Sequence, residues 1–167
     1  MKKRAALLML ALVLALGAGL AIRNYSVGTV RVAGVSMQDT LLNGDLTLVT
    51  RFDYLAGEPK RGDVVECSFP NREDRYIKRI VALPGDRVAF SGGRLTINGE
   101  TVEEPYAVGH TDDYAVELGE DEYLALGDNR EESYDSRMDD MGPISREDLL
   151  GRVRWRLLPL DRFGPIQ

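Results

Sequence analysis

The stretch DRVAFSGGRLTINGETV, Asp86 to Val102, predicts two short strands joined by a tight turn. Apolar residues alternate with polar ones on both sides of the turn Ser91–Gly93, and Asn98–Gly99 marks a second turn. Alternation with a period of two is typical of half-buried strands, and glycine-containing pairs are typical of hairpin turns. The stretch therefore favours a hairpin or meander of antiparallel strands.

The sequence on both sides of this hairpin continues the pattern. Short apolar runs in GTVRVAGV, DLTLVT, GDVVECSF and DEYLALGDNR predict further strands. Ser145, three residues ahead of Asp148, predicts a capping box for one helical turn before Gly151, and a strand is expected from Val153 to Leu158. The stretch EPYAVGHTDDYAVELGEDE is the most loop-like part. We therefore expect a mostly β domain.

Length and composition limit the possible functions. The 167 residues suit a single domain with its own core. The net charge is −6, and no lysine or arginine run follows the extreme N-terminus, so a nucleic-acid partner is not expected. Cys67 is the only cysteine, which excludes an intrachain disulfide and a multi-cysteine zinc site. We interpret it as a half-buried small apolar residue.

The N-terminus carries an apolar run after three positive charges at residues 2–4. The 18 uncharged residues from Ala5 to Ile22 would span about 27 Å as a helix, close to the roughly 30 Å of a bilayer core. This predicts an anchor and cytoplasmic tip over residues 1–24, with residues 25–167 on the extracytoplasmic side. The alternative is a secretory signal cut after Ala21, because Gly19 and Ala21 are small.

Ser36, in GVSMQDTLLNGD, is a candidate nucleophile that lacks an obvious base. His110 is the only histidine, and its polar surroundings VGHTDDY indicate a solvated loop residue rather than a member of a triad. The acidic pairs 112–113 and 139–140 are interpreted as surface charge. The segment DNREESYDSRMDD lacks the glycine and glutamate of a calcium loop, so a metal site is not expected there.

A neutral lysine can also activate a serine, provided that burial lowers the pKa of its amine. Lys60 lies in GEPKRGD, which is typical of an exposed turn. Lys78 lies in YIKRIVALPGD and shares a strand face with Tyr76 and Ile80, so it is the better candidate. Alternation does not tell which face is buried. An ordinary strand lysine whose ammonium reaches water therefore remains the alternative.

Four stretches together resemble conserved blocks of the bacterial type I signal peptidases, serine–lysine enzymes that release exported proteins from the membrane. In order along the chain they are GVSMQDTL, RGDVV, YIKRIVALPGD and GDNREESYDSR. The resemblance runs from Val30 to Val153. It implies an all-β fold in which coiled antiparallel sheets form a small catalytic core after one N-terminal transmembrane helix. Residues 86–122 would form a reduced lid-like region, and an exposed apolar rim would rest on the bilayer.

The resemblance also assigns roles to residues. It makes Ser36 the nucleophile and Lys78 the general base, with Ser133 orienting the lysine. The residues that would support this site are Asp128, Asn129, Asp135 and Arg137. The residues that would line two shallow pockets for small side chains are Val32, Ala33, Met37, Leu41, Tyr76 and Ile77.

Two positions depart from the family pattern. Asp39 occupies a position where the family commonly has proline, which predicts a looser turn after Ser36. Gly34, which we group with the substrate-binding residues, occupies a position where some members have a serine that completes the oxyanion hole. The second oxyanion donor is therefore not identified from the sequence.

The resemblance implies no metal or cofactor. The expected partners are exported preproteins and the lipid bilayer, and the chain is expected to function as a monomer. An extended substrate would pair with a strand edge near the site. A self-cleaving serine–lysine repressor is a rival hypothesis, but it needs a DNA-binding helix pair where residues 1–35 predict a membrane segment. A non-catalytic binding module on the same anchor is the other rival, and it predicts that Ser36→Ala changes nothing measurable.

Overall fold

The computed structural model of the protein describes residues 9–19, 27–70 and 72–166. Residues 9–19 form helix α1, and a four-residue helix α2 covers Asp53–Ala56. Single 3₁₀ turns cover Arg146–Asp148 and Leu160–Arg162. The strands are β1 Val27–Arg31, β2 Leu46–Thr50, β3 Val64–Cys67, β4 Tyr76–Ala82, β5 Arg87–Ser91, β6 Arg94–Ile97, β7 Glu100–Thr101, β8 Tyr114–Glu117, β9 Leu124–Leu126, β10 Leu149–Leu158 and β11 Gly164–Pro165.

The strands form two antiparallel sheets, so the mostly β prediction is confirmed. The larger sheet has the order β1-β2-β10-β3-β4-β9, and β11 pairs with β10. The smaller sheet has the order β7-β6-β5-β8 and is built around the predicted hairpin. In that hairpin Val88 lies opposite Ile97 and Phe90 opposite Leu95. These four buried side chains join a core cluster that includes residues of β4 and β9, so the smaller sheet packs beside the strands that carry the site.

Two further strand predictions need correction. The loop-like stretch contains β8, which pairs with β5. The many polar and charged residues of this stretch hide the short alternation of Tyr114–Glu117 in the sequence. The strand is stabilised by its pairing with β5 rather than by the propensity of its residues. The last long strand begins at Leu149 and not at Val153, because Leu149 already pairs with Cys67 of β3. The capping box between Ser145 and Asp148 is confirmed.

The predicted anchor, Ala5–Ile22, lies partly outside the described residues. The part that is described, residues 9–19, is helical, and its large apolar side chains are exposed. In the described ranges no helix has both the length and the apolar composition of a membrane span. The proposed cleavage point after Ala21 falls outside the described residues.

Two core clusters lie on opposite faces of the β3–β4 pair. One cluster contains Val65, Cys67 and Ile80. Cys67 is completely buried and not half-buried as predicted, because both neighbours of β3 cover it; burial raises the pKa of its thiol to about 12 and makes it an inert core residue. The other cluster includes Met37 and Leu41 from the segment between β1 and β2, and it supports the turn that carries Ser36.

Candidate active site

Ser36 lies in a turn between β1 and β2 that is closed by backbone hydrogen bonds. Val32 N–H donates to the carbonyl oxygen of Asp45 at 2.8 Å, and Leu41 N–H donates to that of Met37 at 2.7 Å. The turn includes a cis peptide bond between Gln38 and Asp39. The side chains of Met37 and Leu41 are buried beneath it. The turn is thus fixed by hydrogen bonds and core packing, and the looser turn predicted from Asp39 is not observed.

Lys78 is a buried amine rather than a lysine that reaches water. It lies on β4 opposite Val65, is 2% exposed, and its Nζ donates to Oγ of Ser133 at 3.0 Å. Burial lowers the pKa of the amine, and the negative charge of Asp135 opposes that effect only in part. Among the hydrogen bonds of the described residues, none joins Nζ directly to Ser36. Lys78 is therefore oriented by Ser133 and desolvated.

Ser133 is itself supported by the ion pair between Asp135 and Arg137. The Arg137 guanidinium donates to both carboxylate oxygens of Asp135, at 2.8 and 2.9 Å. Burial alone would raise the pKa of this carboxyl, but the hydrogen bonds and charge of Arg137 and a hydrogen bond from Ser133 lower it. The buried carboxylate is thus charged and paired, with Ser133 between it and the Lys78 amine.

Gly127 brings the serine turn and the lysine together. Its N–H donates to Asp135 at 2.9 Å. A Cβ atom at this position would overlap both the carbonyl oxygen of Ser36 and Oγ of Ser133. Asn129 N–H donates to the same Ser36 carbonyl at 3.0 Å. Only a glycine at position 127 lets these two serines approach one backbone position so closely.

Asp128 belongs to a buried network whose other main member, Arg79, was not predicted. Arg79 donates to both oxygens of Asp128, at 2.9 and 2.8 Å, and Thr40 Oγ1 donates to the same carboxylate at 2.5 Å. Both members of the ion pair are almost fully buried. The Arg79 guanidinium also lies 4.0 Å from the centre of the Tyr106 ring. The network ties the turn after Ser36 to the loop that follows β9.

Sequence reasoning missed Arg79 because its partner is remote in the sequence. A buried arginine needs a counter-ion, and the strand position of Arg79 next to Lys78 was visible. The carboxylate that pairs with it lies 49 residues away, so no local pattern connects the two residues. The same holds for the pair of Glu104 and Arg130, which joins the segment after β7 to this loop.

A cleft of about 310 Å³ opens beside Ser36 and is lined by most of the residues expected to bind substrate. Val32, Ala33, Met37, Tyr76 and Ile77 all contribute to its wall. Its lining also includes four residues that were not predicted, namely Val30, Arg31, Asp74 and Arg75.

Two residues predicted to bind substrate lie elsewhere. Leu41 is completely buried in the cluster under the turn, where no substrate atom can reach it. Gly34 is exposed outside the cleft lining, and its N–H donates to Asn43 at 3.0 Å. Its φ of +96° strains any residue with a side chain, so a serine hydroxyl in place of Gly34 does not suit this backbone.

One wall of the cleft includes an unpaired strand edge. On one side, β4 pairs with β3 from Tyr76 to Arg79. On the other side, its pairing with β9 begins only at Arg79. Among the described strands, none covers the free edge of Tyr76–Lys78. An extended peptide can add a strand there.

His110 does not line the cleft beside Ser36, but it lines a second cavity of about 440 Å³ together with Ser133 and Arg137. The His110 side chain is exposed, its Nε2 lies 3.9 Å from Asp112, and its backbone N–H donates to Glu131 at 3.0 Å. The described part of the chain holds no cluster of three or more histidine, cysteine, aspartate or glutamate residues that could bind a metal ion. The arrangement at Ser36 and Lys78 suits acyl transfer through a serine.

Comparison with known proteins assigns the chain to a family. The model of the family described as signal peptidase, peptidase S26, matches residues 4–158. The chain belongs to the signal peptidase family. As a member of peptidase S26 it is a hydrolase, a serine peptidase. The resemblance found in the four sequence blocks is confirmed.

Individual signal peptidases are similar over most of their length. A probable signal peptidase I-2 from a Synechocystis species is 36% identical over 162 residues, covering 92% of this chain and 72% of the relative. Signal peptidase I S of Bacillus subtilis is 34% identical over 167 residues, covering 92% and 89%. The crystal structure of a signal peptidase I from Enterococcus faecalis superposes with a TM-score of 0.53 at 29% identity, over 57% of this chain and 97% of that one.

Proposed function

We propose that Ser36 is the nucleophile and Lys78 the general base of a membrane-anchored signal peptidase. The chain removes N-terminal signal peptides from exported preproteins, the function for which its relatives are named. The observation that carries the assignment of residues is the buried Lys78 amine, held by Ser133 beside the backbone of Ser36. A non-catalytic binding module does not require a desolvated lysine amine next to Ser36.

The neutral amine of Lys78 takes the proton from Ser36 Oγ while that oxygen attacks the scissile carbonyl carbon. The protonated amine then donates this proton to the leaving nitrogen, and an acyl-enzyme remains on Ser36. Lys78 next takes a proton from water, whose oxygen attacks the acyl carbon, and Ser36 Oγ recovers a proton as it leaves. Donation from Lys78 to Ser133 keeps one N–H occupied, which leaves the lone pair of the amine free for Ser36.

The substrate lies extended in the cleft between residues 30–33 and the start of β4. Its backbone pairs with the free edge at Tyr76–Lys78, which directs the scissile bond towards Ser36. The apolar wall, including Val32 and Ile77, leaves room only for small side chains next to the cleaved bond. One oxyanion donor is the backbone N–H of Ser36.

The membrane contributes through two separate parts of the chain. Residues 5–22 form the anchor, with the N-terminus cytoplasmic and the catalytic domain on the extracytoplasmic side. A surface we call the apolar rim consists of Trp155, Leu158, Leu160 and Phe163, all exposed. Leu160 is 77% exposed and Phe163 56%, and the Trp155 and Phe163 rings lie 5.4 Å apart. Such a cluster of large apolar side chains suits a lipid surface.

Cleavage of a purified preprotein by the detergent-solubilised full chain tests the catalytic assignment. Wild type should cut once, after a small residue, and Ser36→Ala and Lys78→Ala should each lose about 10³-fold or more of kcat/KM. Ser91→Ala and Lys60→Ala are matched controls, because both residues are exposed and neither lines the cleft. Full activity of Lys78→Ala would require another base. A silent Ser36→Ala would favour the binding module.

The membrane assignment has its own test. Full chain made in cells should stay in the membrane pellet after alkaline extraction, with its first residues intact by mass spectrometry. A soluble product that begins at Ile22 would support the cleaved secretory signal instead. Trp155 is the only tryptophan, so brominated lipids should quench its fluorescence in the reconstituted chain. Leu160→Ser should reduce that quenching, and an unquenched Trp155 would rule out contact between the apolar rim and lipid.

A further inference from the structure

Charged residues line the substrate cleft together with its apolar ones. Arg31, Asp74 and Arg75 line it together with Ser36, and all three are exposed. Arg31 comes from the end of β1, and the other two directly precede β4. Charged side chains at a cleft mouth act on whatever part of the substrate passes between them.

A buried carboxylate holds Arg75 in place. Glu66 lies on β3 opposite Ile77, one of the residues in the cleft wall, and is 2% exposed. Arg75 is two residues before Ile77, so it reaches Glu66 diagonally across the two strands. Its Nη1 donates to Glu66 Oε1 at 3.2 Å, while 59% of the side chain stays exposed.

Glu66 also forms an ion pair with Arg51. Arg51 Nη2 lies 3.7 Å from Glu66 Oε2, and that oxygen has no hydrogen-bond partner among the described residues. The charged residues that line the cleft itself are Arg31, Asp74 and Arg75, and behind them the charges of Arg51 and Glu66 balance each other. The cleft mouth therefore has an excess of one positive charge.

We propose that Arg75, held by Glu66, is a specificity-determining residue that selects signal peptides by charge. It favours an acidic side chain over a basic one at the substrate position that lies at the cleft mouth. Arg75 precedes Lys78 by three residues, about 10 Å along an extended strand, and its side chain reaches further. Because the cleft between Arg75 and Ser36 is the part proposed to take the small side chains that end the signal peptide, the position that Arg75 faces lies about four or five residues upstream of the scissile bond. This inference rests on the proposed function.

Charge selection by Arg75 should change the ratio of kcat/KM between acidic and basic preproteins, without a general loss of activity. Exposed charge pairs change an equilibrium by about two- to fivefold, and salt screens them. Preproteins with glutamate at the fourth or fifth upstream position should be cut about two- to fivefold faster, in kcat/KM, than those with lysine. The preference should shrink in 1 M salt, where the screening length falls to about 3 Å.

The experiment compares three preproteins that differ only in glutamate, glutamine or lysine at one of these positions. Each is cut by the full-length wild type, Arg75→Gln, Arg75→Glu, Glu66→Gln and Arg87→Gln. Arg75→Gln should remove the preference and Arg75→Glu should invert it. Glu66→Gln keeps a hydrogen-bond acceptor for Arg75 but removes a negative charge beside it, so it should increase the preference. Arg87→Gln is the matched control, because Arg87 is exposed on the smaller sheet and pairs with Glu117. Because each ratio is taken within one variant, partial loss of folded enzyme does not affect it.

Two failures are distinguishable in this design. Equal cleavage of all three preproteins by wild type, or an unchanged preference in Arg75→Gln, would overturn the charge selection and leave the peptidase assignment intact. Failure of wild type to cut even the glutamine preprotein would overturn the proposed function and this inference with it.

Discussion

The backbone N–H of Asn129 donates a hydrogen bond of 3.0 Å to the carbonyl oxygen of Ser36. This contact joins the loop after β9 to the serine turn across 93 residues of sequence. The same loop carries Ser133, which accepts the hydrogen bond of Lys78. Ser36 and Lys78 are thus positioned relative to each other through the loop as well as through the sheet.

Gly127→Ala should separate the two serines. The new methyl group would overlap the Ser36 carbonyl and Ser133 Oγ, so one of them has to move. A displacement of about 1 Å costs on the order of 10²-fold in kcat/KM, and overpacking costs about 1–3 kcal/mol of stability. Gly164→Ala is the control, because a Cβ there meets no atom within 4 Å. Wild-type kinetics in Gly127→Ala would contradict the close approach at this position.

Stability should depend on pH through Lys78. At low pH the Lys78 amine is protonated in both the folded and the unfolded state, and the buried charge destabilises the folded state. As pH rises through the lowered pKa towards the unfolded value of about 10.4, the folded state sheds its proton first and that destabilisation disappears. The unfolding free energy of wild type should therefore rise with pH relative to that of Lys78→Met.

Urea unfolding of both proteins from pH 5 to pH 10 measures this difference. The exposed Lys60→Met is the control, and its difference from wild type should stay flat. The raised pKa of Cys67 affects wild type and Lys78→Met alike, so it largely cancels. A Lys78→Met difference that did not change with pH would mean that the amine titrates as in water.

Asp135→Asn should shift the activity profile towards lower pH. The negative charge of Asp135 raises the pKa of Lys78, and the positive charge of Arg137 lowers it. Asp135→Asn removes the negative charge that raises the pKa of Lys78 and leaves the positive charge of Arg137, which lowers it. The substitution therefore favours the neutral amine. The acid limb of kcat/KM should then appear at lower pH than in wild type, even if the maximum rate falls. Asp139→Asn, at an exposed position, should leave the limb in place; a shift to higher pH in Asp135→Asn would contradict this electrostatic account.

The ion pair of Arg79 and Asp128 should be among the most important contacts for stability. Asp128→Ala leaves a buried guanidinium without its carboxylate, which typically costs about 3–5 kcal/mol. Glu117→Ala removes the partner of Arg87 in an exposed pair, which is expected to cost under about 1 kcal/mol. Chemical denaturation of the two variants gives the comparison. Similar costs for both would mean that the Asp128 site is open to water.

Local signals in the sequence were sufficient for the hairpin and the capping box. Both depend on residues within a few positions of each other, such as Gly92 with Gly93 and Ser145 with Asp148. The four blocks identified the family, and the burial of Lys78 agrees with its apolar neighbours. Strand β8 was missed because its edge pairing with β5, and not its composition, stabilises it.

Features made by distant residues could not be derived in the same way. No local pattern reveals that Asp128 neutralises Arg79, or that Glu66 reaches Arg75 across two strands. The resemblance assigned Leu41 to a substrate pocket, but the apolar residues of this turn face two ways: some line the cleft and others lie in the core. Only the packing of the turn on Val49 and Val153 determines which of them faces inward.

The free edge of Tyr76–Lys78 is protected against self-association of the enzyme. Unpaired strand edges can join the edges of other copies and begin aggregates, and proteins protect them by shortness and by charge. Here the edge is three residues long, and the charged residues Asp74 and Arg75 precede it. The strand edge proposed to bind the exported chain is thus too short, and too close to charged residues, to pair with a second copy of the enzyme.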